Sequence, residues 1–368
     1  MKNKIALAAA FMAATSYSTA EIVINDFLSF EGFVDMSYSQ TDTEFGDVDE
    51  SDNSFAIDQV EIAWLFDFDP VTAQIDLAYE GSDGDQETVV EQAFATYHMD
   101  NGGAITAGRY ASMLGFEAFE PTGLYQYSFA YDIHDAGATG ADTSSVSILP
   151  GYAQGVKFTY EGDMTFFGIS LQDEVFGYDR GRLGGDNDDN SSYGVEVAGS
   201  IAMDNGLSFF LGGAYEAGDG TGGDASDTDA DGDSYVINAY TTFETGAWIF
   251  AAEVNYGESE TGRFFLDSPD GIDVNAEDEE VLSALIMANF AYSERASFTG
   301  RISYTDHETD GAQEVDADFL KYTIAHGYAF SDNLFLVTEL SYVDGEYDNG
   351  ASTDYESLLG AVELIFSF

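Results

Sequence analysis

From Leu358 to Phe368 the chain alternates without a break. Leu358, Gly360, Val362, Leu364, Phe366 and Phe368 share one face of an extended strand, and Leu359, Ala361, Glu363, Ile365 and Ser367 share the other. The pattern runs into a final aromatic residue with no polar tail. In water such an end frays. Beside a bilayer the apolar face meets lipid and the last ring sits at the membrane–water interface. The last strand of a soluble sandwich is the other reading of this segment taken alone.

The same period recurs upstream. In 54–68, Val60, Ile62, Trp64, Phe66 and Phe68 oppose Gln59, Glu61 and Asp67; in 72–80, Ala73, Ile75, Leu77 and Tyr79 oppose Gln74, Asp76 and Glu80. In 247–257, Trp248, Phe250, Ala252, Val254 and Tyr256 oppose Glu253 and Asn255; in 334–343, Leu336, Leu340 and Tyr342 oppose Glu339 and Ser341. A carboxylate in mid-strand is costly against lipid, so the second face meets water. The segment 87–99 has no assignable faces.

Two kinds of connection separate the strands, and they interleave. Tight turns stand at Asp69-Pro70, Asp100-Asn101-Gly102-Gly103, Glu161-Gly162-Asp163, Asp204-Asn205-Gly206, Thr245-Gly246, Ser293-Glu294-Arg295 and Ser331-Asp332-Asn333. Long acidic or Gly-rich stretches stand at 41–53, 81–87, 111–151, 175–191, 217–232, 259–279, 307–316 and 344–353. The alternation predicts an all-β fold, a transmembrane antiparallel β-barrel of about 16 strands. Its tight turns and both termini gather at one end and its long loops at the other. No composition break marks a second domain, so 21–368 reads as one barrel.

Composition narrows the class. Ten Lys and Arg stand against 69 Asp and Glu, for a formal charge of −59, which repels the phosphates of nucleic acid. Aromatic content of 15% argues against the disorder that such acidity otherwise suggests. Mean hydropathy of −0.14 is too polar for a helical membrane protein but ordinary for a barrel. The absence of cysteine means that no disulfide staples the fold. Residues 1–20, with basic Lys2 and Lys4, an apolar run from Ile5 to Ala14, and Ser18 and Ala20 at a cleavage site, read as a secretory signal peptide.

Gly108-Arg109-Tyr110 with Leu114-Gly115-Phe116-Glu117, then Tyr125-Gln126-Tyr127-Ser128, Pro150, Gly155-Val156 with Tyr160, and the terminal Phe368 resemble Gram-negative outer-membrane porins, more narrowly the OmpL-like β-barrel porins. The resemblance spans most of the chain on short motifs. It implies an outer-membrane location, a passive diffusion channel, a homotrimer, and a C-terminal Phe368 read by the barrel-assembly machinery. The short second connection, 81–87, departs from the pattern of trimeric porins, in which this loop latches onto a neighbour.

The stretch 111–151 carries Met113, Leu114, Phe116, Phe119, Leu124, Tyr125, Tyr127, Phe129 and Tyr131, too much apolar surface to hang in solvent. It either folds into the barrel mouth, as the third loop does in general porins, or hides an extra hairpin. Folded inward, it brings Glu117, Glu120, Asp132 and Asp135 to the constriction. Lys157, Arg301 and Lys321 fall on lumen faces by alternation, and Arg109 stands at the start of the loop. These cations either set a transverse field across the eyelet or face inward only because lipid excludes them.

Asp227, Asp229, Asp231 and Asp233 form a DxDxDGD string that is either a calcium loop or solvated charge. No cofactor is otherwise called for. His98, His134, His307 and His326 show no metal-ligand spacing, and no nucleophile motif stands out, so no enzyme is expected. The expected function is a water-filled channel for small hydrophilic solutes and ions that prefers cations. A non-conducting barrel that presents acidic loops for adhesion or surface coating is the alternative.

Overall fold

The structure is a computed structural model that describes residues 21–80, 87–135, 146–176, 193–220, 230–260, 264, 276–311 and 314–368. The expected signal peptide, 1–20, lies outside them. No helix among them is long and apolar enough to cross a membrane; the crossing elements are strands.

The strands are β1 (Ile22–Asn25), β2 (Leu28–Phe45), β3 (Val48–Asp67), β4 (Val71–Glu80), β5 (Glu87–His98), β6 (Gly103–Ala111), β7 (Tyr152–Glu161), β8 (Thr165–Gln172) and β9 (Tyr193–Ala202). They continue as β10 (Leu207–Gly220), β11 (Ala230–Thr245), β12 (Trp248–Ser259), β13 (Ala276–Ser293), β14 (Ala296–Gly311), β15 (Val315–Ser331), β16 (Leu334–Asp348) and β17 (Ser352–Ser367). Each pairs antiparallel with the next, and β17 pairs with β2. The sheet is thus a closed barrel of 16 strands, β2 to β17, with no free edge. The short β1 pairs with the start of β2, where β17 has ended.

The last residue completes the seam. Phe368 N–H donates to Gly32 O at 2.9 Å and Gly32 N–H donates to Phe368 O at 2.8 Å. The Phe368 ring lies where a side chain on Gly32 would be, so a glycine is required there. The outward rows are apolar: Leu358, Val362 and Phe366 are exposed, whereas Leu359, Glu363 and Ser367 are buried. At the end that holds the termini, aromatic pairs form a girdle. Trp248 and Phe290 stack at 4.5 Å, Tyr292 and Phe298 at 5.3 Å, and Phe27 and Phe68 at 5.9 Å.

All seven expected tight turns join strands at that end. The opposite end differs from expectation. The stretches 41–53, 307–316 and 344–353 are largely strand, and β2 and β3 meet at Gly46, whose φ is +59°. Strands of 18 and 20 residues far exceed the 9 to 11 that a tilted membrane crossing needs. Beyond the lipid the outward face meets water and turns polar, while Thr43, His307, Thr309, Val315 and Tyr347 stay buried inside the barrel, so the apolar–polar alternation of a lipid-facing strand is lost although the ladder continues. Register supplies the pairing there: Asp42 sits opposite Ser51, whose hydroxyl donates to its carboxylate.

Candidate functional site: a loop nailed across the barrel

Residues 111–135 and 146–151 run through the barrel interior and hold one short 3-10 turn, Pro121–Gly123. The loop's apolar residues dictate where it lies. Phe116, Ala130, Tyr131, Ile133 and Val146 pack on Ala251, Leu285, Met287, Val315, Ala317, Phe319, Val343, Tyr347 and Tyr355. Leu114 and Ile148 pack on Ala198, Phe210, Ala214, Val236 and Val281. None of these wall residues belongs to β3–β8. The loop's buried apolar contacts therefore lie on the half of the wall formed by β9–β17, with the partly buried Phe166 of β8 and Tyr152 of β7 touching the loop from the other side.

Polar wall residues then bind its backbone one group at a time. Glu196 accepts the N–H of Met113 at 2.5 Å, Asn238 that of Gly115 at 3.1 Å, and Glu253 that of Phe116 at 2.7 Å. Glu339 accepts the N–H groups of Tyr127 and Ser128 at 2.8 and 3.1 Å and the Ser128 hydroxyl at 2.5 Å. A loop without regular structure must find such partners when it is buried. The inward carboxylates of β9, β12 and β16 are therefore fasteners, not the unpaired lumen charge that alternation suggests.

The wall cations meet the loop's carbonyls in the same way. Arg301 donates from Nη2 to Ser128 O and Phe129 O at 2.9 and 3.0 Å, and from Nη1 to the Glu117 carboxylate. Lys321 donates to Phe129 O at 2.7 Å and Asp132 O at 2.8 Å. Both are buried, with 2% and 3% exposure. Lys157 lies over the Tyr110 ring, 4.3 Å from its centroid, with the Ala111 carbonyl at 3.4 Å. Arg109 donates to the Glu91 carbonyl at 2.9 Å and stands 6.0 Å from the Tyr152 ring centroid. All four are engaged, and the two at the centre lie beneath the loop rather than across an open eyelet from it.

The four loop acids separate. Glu117 is turned into the loop, accepting from Arg301, from the Ala130 N–H at 2.7 Å and from the Gln126 amide at 2.7 Å. Asp132 accepts the His134 N–H at 2.9 Å and its side chain stands 3.3 Å from His134 Nδ1. Asp135 is half-buried at the edge of the described loop. Glu120 alone reaches the far wall, where Gln59 Nε2 and the Tyr152 hydroxyl donate to it at 2.9 and 2.8 Å.

That far wall is acidic, which the sequence reading saw only in part. Carboxylate oxygens of Glu61 on β3, Glu91 on β5 and Glu120 lie within 4.8 Å of one another. Asp76 on β4 stands nearby, held by the Gln74 and Gln92 amides at 2.8 and 2.7 Å. Asp35 and Glu363 are also buried on the inward face. Glu61 and Asp76 fall on the wet face by alternation, but Glu91 does not. A bulge between β4 and β5 lets Gln92 pair with Asp76 and Val90 with Leu77, so the phase slips at Glu91. This is why 87–99 resists assignment.

Val175, Phe176 and Phe264, from two connections expected to be external, also turn inward. Val175 and Phe176 donate N–H to Glu216 at 2.7 and 2.9 Å, Phe264 donates to Glu279 at 2.7 Å, and the Phe176 and Phe264 rings meet edge to face at 5.3 Å. Of the proposed calcium string, Asp227 and Asp229 lie outside the described residues. Asp231 and Asp233 belong to β11, paired with Asp219 and Ala217. A ladder-paired strand is extended and does not wrap an ion as a calcium loop does.

The chain resembles solved outer-membrane proteins over nearly its whole length. A loop-deleted OmpT of Vibrio cholerae matches at a TM-score of 0.61 and 14% identity, over 93% of this chain and 99% of that one. A trimer form of Vibrio cholerae OmpT matches at 0.57 and 12%, over 93% and 99%. An anion-selective porin from Comamonas acidovorans matches at 0.60 and 12%, over 93% and 99%. These likenesses show the fold. A comparison with curated proteins finds no match. Residues 28–368 match the model of one family, described as "Putative beta-barrel porin-2, OmpL-like". The chain is an outer-membrane barrel of the Gram-negative type, and it belongs to this porin family.

Proposed function

We propose that the protein is a narrow, water-filled channel for passive diffusion of small hydrophilic solutes and ions, and that it favours cations. One observation carries the selectivity. The central wall cations, Arg301 and Lys321, are turned into loop carbonyls, while Glu61, Asp76, Glu91 and Glu120 gather where the loop meets β3–β5. On this reading solutes pass beside that cluster, where wall and loop both present carboxylates. Such a path concentrates cations and depletes anions.

The anion-selective neighbour does not speak against this, because at 12% identity only the barrel is shared. The same reading has the tight turns and both termini facing the periplasm, the strand extensions facing outward, and the barrel-assembly machinery recognising Phe368. It has the lumen performing no catalysis. It includes a homotrimer, as in the trimer form of the Vibrio protein.

The dense anchoring of the loop favours a second reading, a closed barrel that presents acidic extensions for adhesion or surface coating. Purified protein in a planar bilayer decides between them. Discrete conductance steps with a cation-selective reversal potential are expected. Insertion without steps ends the channel reading, and anion preference ends the charge argument.

A further inference from the structure

Three carboxylates from separate segments converge at the point where the inward loop touches the wall. Glu61 comes from the middle of β3, Glu91 from the bulge of β5, and Glu120 from the residue that precedes the 3-10 turn. Their oxygens lie within 4.8 Å of one another. Neighbouring Asp76 is satisfied by two amides. Glu61 is not satisfied: it is 7% exposed, and its Oε2 has no hydrogen-bond partner among the described residues. A buried, unpartnered carboxylate oxygen set among two further carboxylates is costly unless a shared proton or a metal cation stands between them. Lys157 and Arg109 do not fill that role, since one sits over Tyr110 and the other donates to a backbone carbonyl. Meanwhile Gln59 and Tyr152 donate one bond to each oxygen of Glu120 and fix its direction.

We propose that Glu61, Glu91 and Glu120 bind a divalent hard cation, calcium, at the constriction, bridging loop to wall and gating the flow of monovalent cations. Three carboxylates offer up to six oxygens, and water completes the 6 to 8 that calcium takes. Magnesium demands a tighter octahedron and loses its water reluctantly. The site rests on the channel reading only for the route by which the ion arrives. An ion here would bridge a loop contact with β3–β5 that otherwise brings like charges together. It would also cancel much of the negative charge that draws potassium.

The test is calorimetric titration of calcium chloride into the refolded, metal-stripped full barrel, in parallel with potassium conductance in bilayers. Wild type should take up one calcium per chain with a Kd of about 10⁻⁴ to 10⁻³ M, the range of extracellular calcium modules. Millimolar calcium should lower potassium conductance by about half or more. E61Q with E120Q should weaken binding at least about tenfold and remove the block. Wild-type protein that shows no saturable heat overturns the proposal without any variant. Binding lost in D231N with D233N but kept in E61Q with E120Q overturns it too, by moving the ion to the β10–β11 hairpin. Calcium binding in a barrel that shows no conductance steps supports the site while removing the channel. Steps with no binding do the reverse.

Discussion

Glu339 and Ser128 join wall to loop twice over: one carboxylate takes the backbone N–H of Ser128 at 3.1 Å and its hydroxyl at 2.5 Å. The same oxygen that accepts the Ser128 N–H also holds that of Tyr127, so one side chain orders a two-residue turn of loop. Each bond to a charged acceptor is worth about 1.5 to 3 kcal/mol. E339A should loosen the loop by at least about 2 kcal/mol without opening the 16-strand ladder. Single-channel recordings should then show larger, noisier conductance. Unaltered conductance would mean that this junction does not hold the constriction.

Arg301 tests whether wall cations act on the loop or on the permeating ion. It fills Glu117 and two loop carbonyls from a fully covered position. R301M leaves Glu117 covered without its partner, a change that costs about 3 to 5 kcal/mol when one half of a buried pair is removed. The expected outcome is a less stable, protease-sensitive loop. E117Q should act in the same way, with little change of ion preference. E120Q, by contrast, should lower cation preference while leaving the loop protease-resistant. Equal selectivity shifts in E117Q and E120Q would refute this division.

Salt separates vestibule from eyelet. The acids of the β2–β3 extension, Asp42, Glu44, Asp47, Asp49, Glu50 and Asp52, stand in open water. Their influence reaches about 8 Å at physiological salt and about 3 Å at 1 M. Reversal potentials in potassium chloride gradients should therefore show cation preference that weakens as mean salt rises but persists, carried by Glu61, Glu91 and Glu120. Selectivity that vanishes at high salt would place all of it in the extensions.

His134 makes the loop sensitive to acid. Burial holds its imidazole below its ordinary value of 6.5, against the pull of Asp132 and Glu339, with Lys321 adding to the lowering. Neutral, it donates from Nδ1 to Asp132 and accepts from the Ser341 hydroxyl at 2.8 Å. A lowered folded value means that the unfolded chain takes up the proton first. Anchorage is therefore complete above about pH 6.5 and is lost as pH falls toward the folded value. Loop noise should grow below about pH 6. H134N should suppress that growth, since Asn tolerates the φ of +59° found here.

Gly32 reports on closure. A Cβ there would collide with the Glu61 carbonyl and stand 2.9 Å from the Phe368 ring. G32A should reduce the heat-modifiable, folded band on gels, and F368A should slow folding into lipid vesicles. A fully folded G32A barrel would show that the seam tolerates the displacement.

Local periodicity by itself determined the barrel. A strand between lipid and water must alternate, so Leu358 to Phe368, Trp64 to Phe68 and Trp248 to Tyr256 could be read directly, and glycine, asparagine, proline or serine marked every tight turn. The same rule placed Arg301 and Lys321 on the inner face. It did not reveal what they touch, because a face is a local property and a partner 173 positions away along the chain, as Ser128 is from Arg301, is not. Only the tertiary structure decided that these cations fasten the loop. It also decided that β2 and β3 run on past the membrane, where the outward face is polar and the apolar–polar alternation that marks a lipid-facing strand is lost. The acidic triad needed the structure most. Glu91 sits on a bulge that breaks the period, and Glu120 on a loop with none, so only the closed barrel brings them to Glu61.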